Sequence, residues 1–484
     1  MSDPSEGTRA GFAGWLTDVG SERLAARLDA ALSRARRTGE PTLAAVTEQM
    51  DSPVDPASAV LLADRGDRDW GVLDQPDAER ASIAVLGCAV DLSAAGEDRF
   101  STAGAKWREL IRGAVVDEPE TKSGVGPIAF GGFSFAPNVA EVGPWRGFGS
   151  CSMVVPELAL VRRGETTWVT AQCVVAPDDI TDEILSRLER VFSALEPLGR
   201  LEDRTVMVDS EAVRISSALT PQHYESAVNI AVEAIREGRL TKAVLAREVL
   251  VERETPHDPA EVMSVLREVF PSCYLYAVGR GSGTFIGASP ELLVKREGLR
   301  ASTVALAGSA PRSADPAVDS HIGERLLRST KDRSEQEVVT DRIRQALDPV
   351  SVWVTASSEP ALVKVANIQH LGTPIRAQLR ASVGVLDLLG RLHPTPAVGG
   401  EPWAEARELI SAVEGLDRGW YAAPIGWTDA SEDGEFCVAL RGALLRGTEA
   451  RCYAGVGVVE GSDPASELAE TELKLQAILP IVSA

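Results

Sequence analysis

Three charged side chains near the carboxyl end of the chain share a helical spacing. Glu467, Glu470 and Lys474 are three and four residues apart, so on a helix they lie on one stripe. Asp463 is the predicted cap of this helix, with Pro464 at its first position. The ordinary explanation of such a stripe is a solvated face that carries an i,i+4 ion pair.

A further carboxylate, Glu335, is predicted at the start of another helix. The segment "TKDRSEQEVVTDRIRQAL" places Ser334 as the predicted N-cap and Glu337 three residues later, which is a capping box. Taken alone, Glu335 is explained as a first-turn carboxylate that the helix dipole stabilises. However, a hard cation such as Mg²⁺ binds through one or two carboxylates when substrate oxygens and water complete its shell. Glu335 and Glu470, on different helices, would suit that use.

Two more charged residues stand in segments with a strand pattern. Lys242 begins "KAVLARE" and falls on the same side as Val244 and Ala246 if side chains alternate. A lysine that points inward needs a partner or a chemical role. Glu291 lies at the start of the strand in "GASPELLVKREG", where a solvent-facing glutamate is the usual expectation.

Composition restricts the partners. The formal net charge of −22 argues against nucleic acid and anionic membranes, and it means that an anionic ligand needs local arginine, lysine or a metal ion. No apolar run reaches the roughly eighteen residues of a membrane span, and "MSDPSEGTRAGFAGWL" does not resemble a signal peptide. The six cysteines include no C-x-x-C pair, which disfavours a structural zinc site. We therefore expect a cytoplasmic protein with reduced thiols.

Hydrophobic patterning predicts the elements that must position these residues. The alternation of strand runs with hairpins and helices indicates a large α+β, or mixed α/β, sandwich. The clearest helix start is Thr220 followed by Pro221. Strands are predicted at 81–92, 129–137, 242–252, 301–306, 362–371 and 436–459. A hairpin over Gly164 is predicted at 157–175, and residues 273–298 are predicted to form a hairpin around 281–283 with a third strand after it. Helices are predicted at 182–195, 221–237, 259–269, 334–347, 402–413 and 463–479.

A set of motifs resembles those of the chorismate-binding enzymes, and among these the isochorismate synthases. The motifs, in the family's order and spacing, are "LTKAVLARE", "GASPELLVKREG", "ALAGSAPR", "SEQEVVTDRI", "NIQHLGTPI", "LHPTPAVGG", "ALRGALL" and "YAGVGVVEGSDPASELAETELKL". The resemblance is close from Pro221 to about Leu479 and loose before it. It implies the family's fold, two large and mostly antiparallel sheets packed as a sandwich with flanking helices. Residues 1–215 are then a divergent N-terminal half and residues 216–484 the chorismate-binding catalytic region.

The resemblance also implies a role for each matching residue. Lys242 would act as general base toward water, and Glu291 would protonate the departing hydroxyl. Mg²⁺ would be held by Glu335 and Glu470, with Glu467 close by. The residues implied to bind substrate are Ser309, His370, Ala397, Arg441, Gly455 and Lys474. One departure is Gln336, where many members of the family have histidine; we expect it to affect the tuning of the site more than metal binding.

The implied reaction is an isomerisation. Chorismate would lose its C4 hydroxyl while water adds at C2, and Mg²⁺ on the ring carboxylate would draw electron density from the ring. The product, isochorismate, would feed either menaquinone or siderophore biosynthesis. The resemblance implies no obligate protein subunit, and we expect a monomer.

Other members of the family give alternative interpretations. Aminodeoxychorismate synthase has a nucleophilic lysine where this chain has Ala307, and anthranilate synthase lacks a lysine at position 242 and works with an amidotransferase partner. Salicylate synthase shares Lys242 and Glu291 and goes on to eliminate pyruvate, although "LAGSAPR" and "HPTPAVGG" favour isochorismate synthase. A non-catalytic relative that only binds chorismate or a partner is also conceivable. The joint presence of Lys242, Glu291, Glu335 and Glu470 argues against it.

Overall fold

Two antiparallel β-sheets with helices on their outer faces make up the structure. The computed structural model describes residues 15–51, 54–78, 80–117, 122–139, 142–195, 212–381 and 383–484. The larger sheet has twelve strands and the smaller sheet has ten, and each ladder between the named strands described here is antiparallel. The predicted sandwich of two large antiparallel sheets is therefore confirmed.

The strands alternate between short hairpins and long central members. Their bounds are β1 Thr42–Gln49, β2 Trp70–Gln75, β3 Ala81–Leu86, β4 Val90–Asp91, β5 Ile128–Phe133, β6 Cys151–Val155, β7 Leu158–Arg163, β8 Thr166–Val175, β9 Arg214–Ser217, β10 Lys242–Glu252, β11 Tyr274–Arg280, β12 Gly283–Ser289, β13 Leu292–Glu297, β14 Arg300–Pro311, β15 Ser351–Ala356, β16 Ala361–Lys364, β17 Ile368–Leu379, β18 Gly400–Glu401, β19 Pro424–Asp429, β20 Gly434–Val438, β21 Gly442–Arg446 and β22 Glu449–Val458.

The helices cover both sheets. Their bounds are α1 Asp18–Thr38, α2 Pro56–Leu61, α3 Arg99–Arg112, α4 Thr181–Phe192, α5 Pro221–Arg236, α6 Pro259–Val269, α7 Pro316–Arg328, α8 Thr330–Leu347, α9 Val385–Leu392, α10 Trp403–Val413, α11 Pro464–Leu475 and α12 Leu479–Val482.

Strands from the two parts of the chain are interleaved in both sheets. The larger sheet has the order β1-β8-β7-β3-β2-β11-β12-β21-β22-β10-β18, with β9 also paired to β10. The smaller sheet has the order β15-β17-β14-β13-β20-β19-β5-β6-β4, with β16 paired to β17. β2 pairs with β11 in one sheet and β5 pairs with β19 in the other, so both sheets contain strands from residues 1–215 and from residues 216–484. The division at residue 215 remains a prediction about sequence regions.

Buried apolar side chains from both sheets form the core between them. Val85 and Val278 of the larger sheet and Phe130 and Ile425 of the smaller one belong to one hydrophobic cluster and are fully buried. Burial of this area is the main stabilising contribution to a fold of this size. Among the described helices, none is long and apolar enough to cross a membrane.

The start of α8 differs from the prediction. Ser329, and not Ser334, caps the helix, and its hydroxyl accepts a hydrogen bond from the Asp332 amide at 3.3 Å. The predicted capping box of Ser334 and Glu337 is wrong because Ser329 satisfies the same preference one turn earlier. Glu335 consequently lies in the second turn. At the other helix, Asp463 caps α11 as predicted, accepting from the Ser466 amide at 2.9 Å.

Candidate active site

One pocket collects almost all of the predicted site residues. Its walls come from β10 and β22 of the larger sheet, β14 and β17 of the smaller sheet, and the helices α8 and α11. All but one of the predicted residues line it. They are Glu291, Ser309, Glu335, His370, Ala397, Arg441, Gly455, Glu467, Glu470 and Lys474.

The remaining predicted residue, Lys242, lies directly behind the pocket wall. Its side chain is only 1% exposed, and its Nζ is 2.7 Å from Oε1 of Glu335, which lines the pocket. The inward orientation predicted for the first residue of β10 is therefore what the structure has. The buried amino group therefore has a carboxylate partner.

A glycine makes room for this ion pair. Gly457 on β22 pairs with Val244 on β10, and a Cβ atom added to it would lie 2.7 Å from Oε1 of Glu335 and 2.8 Å from Cε of Lys242. Both distances are too short for real Cβ contacts. Any larger residue at 457 would displace the lysine or the glutamate, so this glycine is required by close approach.

Helix α11 presents its charged stripe to the pocket. Glu470 pairs with Lys474 at 3.0 Å, and the same ammonium donates to the Gly455 carbonyl at 3.0 Å. Burial raises the pKa of Glu470, but Lys474 and the Ser309 hydroxyl outweigh it and hold the pKa below its usual range. The stripe therefore faces the pocket, and the alternative of a solvated helix face is wrong.

The third carboxylate of the group belongs to Glu467. It is 3% exposed and pairs with Lys331 of α8 at 3.3 Å. Burial raises the pKa of Glu467, and the neighbouring Glu470 raises it further. Burial likewise raises the pKa of Asp332, with Glu335 and Glu470 adding to the rise. Glu470 thus raises the pKa of both Glu467 and Asp332, and each of the three glutamates is paired with one lysine.

This donor set suits a hard divalent cation. Carboxylate oxygens from two helices converge on one cavity and repel one another, which is the electrostatic condition that a cation relieves. Among the described residues, no three Asp, Glu, His or Cys side chains are grouped closely enough to enclose a metal ion alone. Mg²⁺ commonly keeps water and substrate oxygens in its shell, so one or two protein carboxylates are sufficient.

A buried guanidinium lies elsewhere in the pocket. Burial lowers the pKa of Arg441 to about 10, and its Nη1 is buried without a hydrogen-bond partner in the described structure. Its Nη2 donates to Nε2 of His370, which fixes the proton of that imidazole on Nδ1, next to the Ser309 hydroxyl at 3.2 Å. Burial lowers the pKa of His370 well below its usual value, with Arg441 and Lys474 contributing. Arg441 is therefore a buried cation in the pocket wall, and one of its donor groups has no partner among the described residues.

Glu291 is the one buried carboxyl of the pocket with a strongly raised pKa. Burial raises the pKa to about 8, although Lys242, Lys474 and Arg441 oppose the rise. The backbone at this position is fixed, because the Glu291 amide donates to Ser289 Oγ at 3.2 Å and its carbonyl accepts from the Val438 amide at 3.0 Å. A carboxyl that keeps its proton at neutral pH can serve as a general acid.

We expect the catalytic rate to fall as pH rises through about 8, because only protonated Glu291 can donate a proton. The native pKa exceeds the value of 4.5 for an unperturbed glutamate, so the stability that this group contributes is full below 4.5 and is lost as pH rises to about 8. Glu291→Gln should lower kcat and flatten the loss of unfolding free energy over that range. Rate profiles and denaturant unfolding across the range measure both, and an unchanged alkaline limb in the variant would contradict the assignment.

Several residues of the pocket were not predicted from the sequence. Lys331 and Asp332 of α8 approach the carboxylates, and Tyr421 lines the wall with its ring stacked on Tyr453 at 5.3 Å. The charged pair follows Ser329, so a correct helix start would have placed it near Glu335. Neither the charge nor the spacing of the two tyrosines in the sequence indicates that they line a pocket.

Gln336 and Ala307 are the two positions at which the sequence was compared with other members of the family. Gln336 is buried, and its amide donates to the Ala305 carbonyl at 2.8 Å and to Thr373 Oγ1 at 3.0 Å. It therefore attaches α8 to the smaller sheet and does not line the pocket. Ala307, at the position of the nucleophilic lysine of the aminodeoxychorismate synthases, does line the pocket and offers no nucleophile.

Comparisons with known proteins agree with this geometry. The sequence profile of the family described as "Chorismate binding enzyme" matches residues 30–483. The chain is 38% identical over 455 residues to "Salicylate biosynthesis isochorismate synthase" of Pseudomonas aeruginosa, covering 94% of this chain and 93% of that protein. It is 36% identical over 392 residues to "Isochorismate synthase MenF" of Bacillus subtilis, covering 80% and 81%. The solved structure of MenF, the menaquinone-specific isochorismate synthase from Escherichia coli, shares the fold, with a TM-score of 0.75 at 23% identity over 94% of this chain and 100% of that one.

Proposed function

The chain belongs to the chorismate-binding enzymes, and we propose that within this family it is an isochorismate synthase, an isomerase that converts chorismate reversibly to isochorismate. The observation that carries the proposal is one pocket that brings together a buried glutamate with a raised pKa, three further glutamates and a buried guanidinium, with a buried lysine directly behind its wall. An isomerisation that exchanges water for a hydroxyl needs a general base, a general acid and cationic groups that bind the anionic substrate.

Lys242 is the proposed general base and Glu291 the proposed general acid. Lys242 would take a proton from the water that adds at C2, and Glu291 would give one to the hydroxyl that leaves C4. Atoms balance, because one water enters and one leaves. Glu291 is already in its donor form below about pH 8. Lys242 is paired with Glu335 in the structure, and a cation that engaged this carboxylate would release the lysine for that role.

Arg441 and Lys474 are the proposed contacts to the carboxylates of chorismate. Among the described residues, Nη1 of Arg441 has no hydrogen-bond partner, and Lys474 contacts both Glu470 and the Gly455 carbonyl. Together they supply the local positive charge that a chain of net charge −22 needs to attract a dianion. His370, Ala397, Ser309 and the backbone of Gly455 would enclose the ring. We further propose that the enzyme acts as a monomer without an obligate protein subunit.

We propose Glu335, Glu470 and Glu467 as the residues that hold Mg²⁺. The ion would polarise the ring carboxylate of the substrate as charge shifts during the reaction. These glutamates now pair with Lys242, Lys474 and Lys331, and those ion pairs would have to break when the metal ion binds. Binding to the free protein should therefore be weak and should strengthen when chorismate adds its own oxygens.

The experiment that tests this function is product analysis. With chorismate and Mg²⁺ at neutral pH, the protein should form isochorismate and reach a mixture of both compounds, with little salicylate or pyruvate. A coupled lactate dehydrogenase assay measures pyruvate directly. Pyruvate in stoichiometric amounts would support the salicylate synthase alternative, and an unchanged substrate would support a non-catalytic binder.

A further inference from the structure

One edge of β10 is held by side chains where a neighbouring strand is missing. The ladder with β18 ends at Ala243, and the ladder with β9 begins at Val249. Between Ala243 and Val249, no described strand is available on this edge of β10 to accept or donate backbone hydrogen bonds. Buried backbone groups need partners, so other groups must supply them. This segment follows Lys242 directly along the chain.

A buried ion pair fills this gap. Glu414, the residue after α10, and Arg418 four residues later are 3% and 4% exposed and form a bidentate pair, with Arg418 Nε donating to Glu414 Oε2 at 2.9 Å. Glu414 Oε1 accepts from the Ala246 amide at 2.7 Å, and Arg418 Nη2 donates to the Val244 carbonyl at 2.7 Å. The pair therefore substitutes for a strand partner over two consecutive sites of β10.

The same arginine also holds another segment of the pocket wall. Arg418 Nη1 donates to the Val398 carbonyl at 2.8 Å, and Val398 and its neighbour Ala397 line the pocket. The guanidinium is stacked on the ring of Phe135 at 4.2 Å, which fixes its plane. Only a planar group with several donors in a rigid fork can reach the carboxylate and both carbonyls at once.

We infer that Glu414 and Arg418 are positioning residues that set the place of Lys242 relative to the pocket wall. This inference rests on the proposed function and deepens it. The pair connects the backbone of β10 to the segment around Val398, and none of its described hydrogen bonds or ion pairs goes to Lys242. Arg418 also lines the pocket, so its effect on KM has to be measured beside its effect on kcat. Since a misplacement of about 1 Å can lower a catalysed rate about 10²-fold, loss of the pair should affect the base without removing it.

The test is a double-mutant cycle with Lys242. Arg418→Lys keeps the charge but cannot span the three acceptors, and we expect kcat to fall about 10- to 100-fold with KM changed less than about threefold. In a Lys242→Ala background, Arg418→Lys should lower kcat by less than about a further twofold, because the base that Arg418 positions is absent. Glu414→Gln, which keeps an acceptor for Ala246 but loses the charge, should show the same dependence on Lys242.

A matched control separates positioning from general weakening of β10. Glu248, on the same strand, pairs with Arg451 and lies outside the pocket, so Glu248→Gln should keep kcat within about threefold of wild type at a temperature below unfolding. Equal losses of kcat for Arg418→Lys with and without Lys242, or a rise in KM alone, would overturn the inference while the wild type remained active. An inactive wild type would overturn the proposed function and this inference with it.

Discussion

Lys242→Ala is expected to lower kcat for chorismate about 10²–10⁴-fold, the usual contribution of a positioned general base. The ammonium lies 2.7 Å from Glu335 and the side chain is almost fully buried, so no other side chain can take its place without rearrangement. KM should change little, because Arg441 and Lys474 are proposed to hold the substrate carboxylates. Steady-state kinetics over a range of pH measure both constants.

The ion pair between Lys242 and Glu335 means that Lys242→Ala should also change the stability of the fold. Truncation leaves a carboxylate without its partner, so some loss of melting temperature is expected along with the loss of rate. Lys242→Met, which keeps the apolar stem, is the matched variant that limits the packing loss. A folded Lys242→Met or Lys242→Ala protein that retains more than about a tenth of the wild-type kcat would contradict the assignment of the base.

Glu470→Gln is expected to abolish turnover, by about 10³-fold or more, since electrostatic stabilisation by a metal ion is worth several kcal/mol. The substitution keeps the size of the side chain and removes the negative charge that Lys474 and Ser309 now stabilise. A second readout is thermal protection: Mg²⁺ with chorismate should raise the melting temperature of the wild type and not that of the variant.

Glu472 provides the matched control on the same helix. It pairs with Arg247, is about half exposed, and does not line the pocket. Glu472→Gln should therefore keep both turnover and the protection by Mg²⁺ with chorismate. If Glu470→Gln remained active at saturating Mg²⁺, or if both variants lost activity equally, the proposed metal ligands would be wrong.

Local patterns in the sequence were sufficient for most of the fold. The bounds of β10 and α6 are as predicted, and the hairpin over Gly164 joins β7 and β8. These elements have strong alternation, a capping residue or a turn glycine. The start of α8 was misplaced by about one turn because Ser329 and Ser334 are both good N-caps, and only tertiary contacts decide between them.

The site was predicted by resemblance more than by spacing. The stripe of Glu467, Glu470 and Lys474 was visible as a helical pattern, but its direction toward a pocket depends on the packing of α11 against β22. The pair of Glu414 and Arg418 was missed because its role depends on a gap between β18 and β9 in the larger sheet. Such a gap arises from long-range strand pairing, which no local pattern contains.

The most direct measurement is the reaction of chorismate with the wild-type protein and Mg²⁺ in water enriched in oxygen-18, followed by chromatographic separation and mass spectrometry. If water adds at C2 as the C4 hydroxyl leaves, the isochorismate formed must carry one oxygen-18 atom. Reversal should then return labelled chorismate as the mixture approaches equilibrium. Isochorismate without the heavy oxygen, or salicylate and pyruvate in its place, would contradict the proposed exchange of water by Lys242 and Glu291.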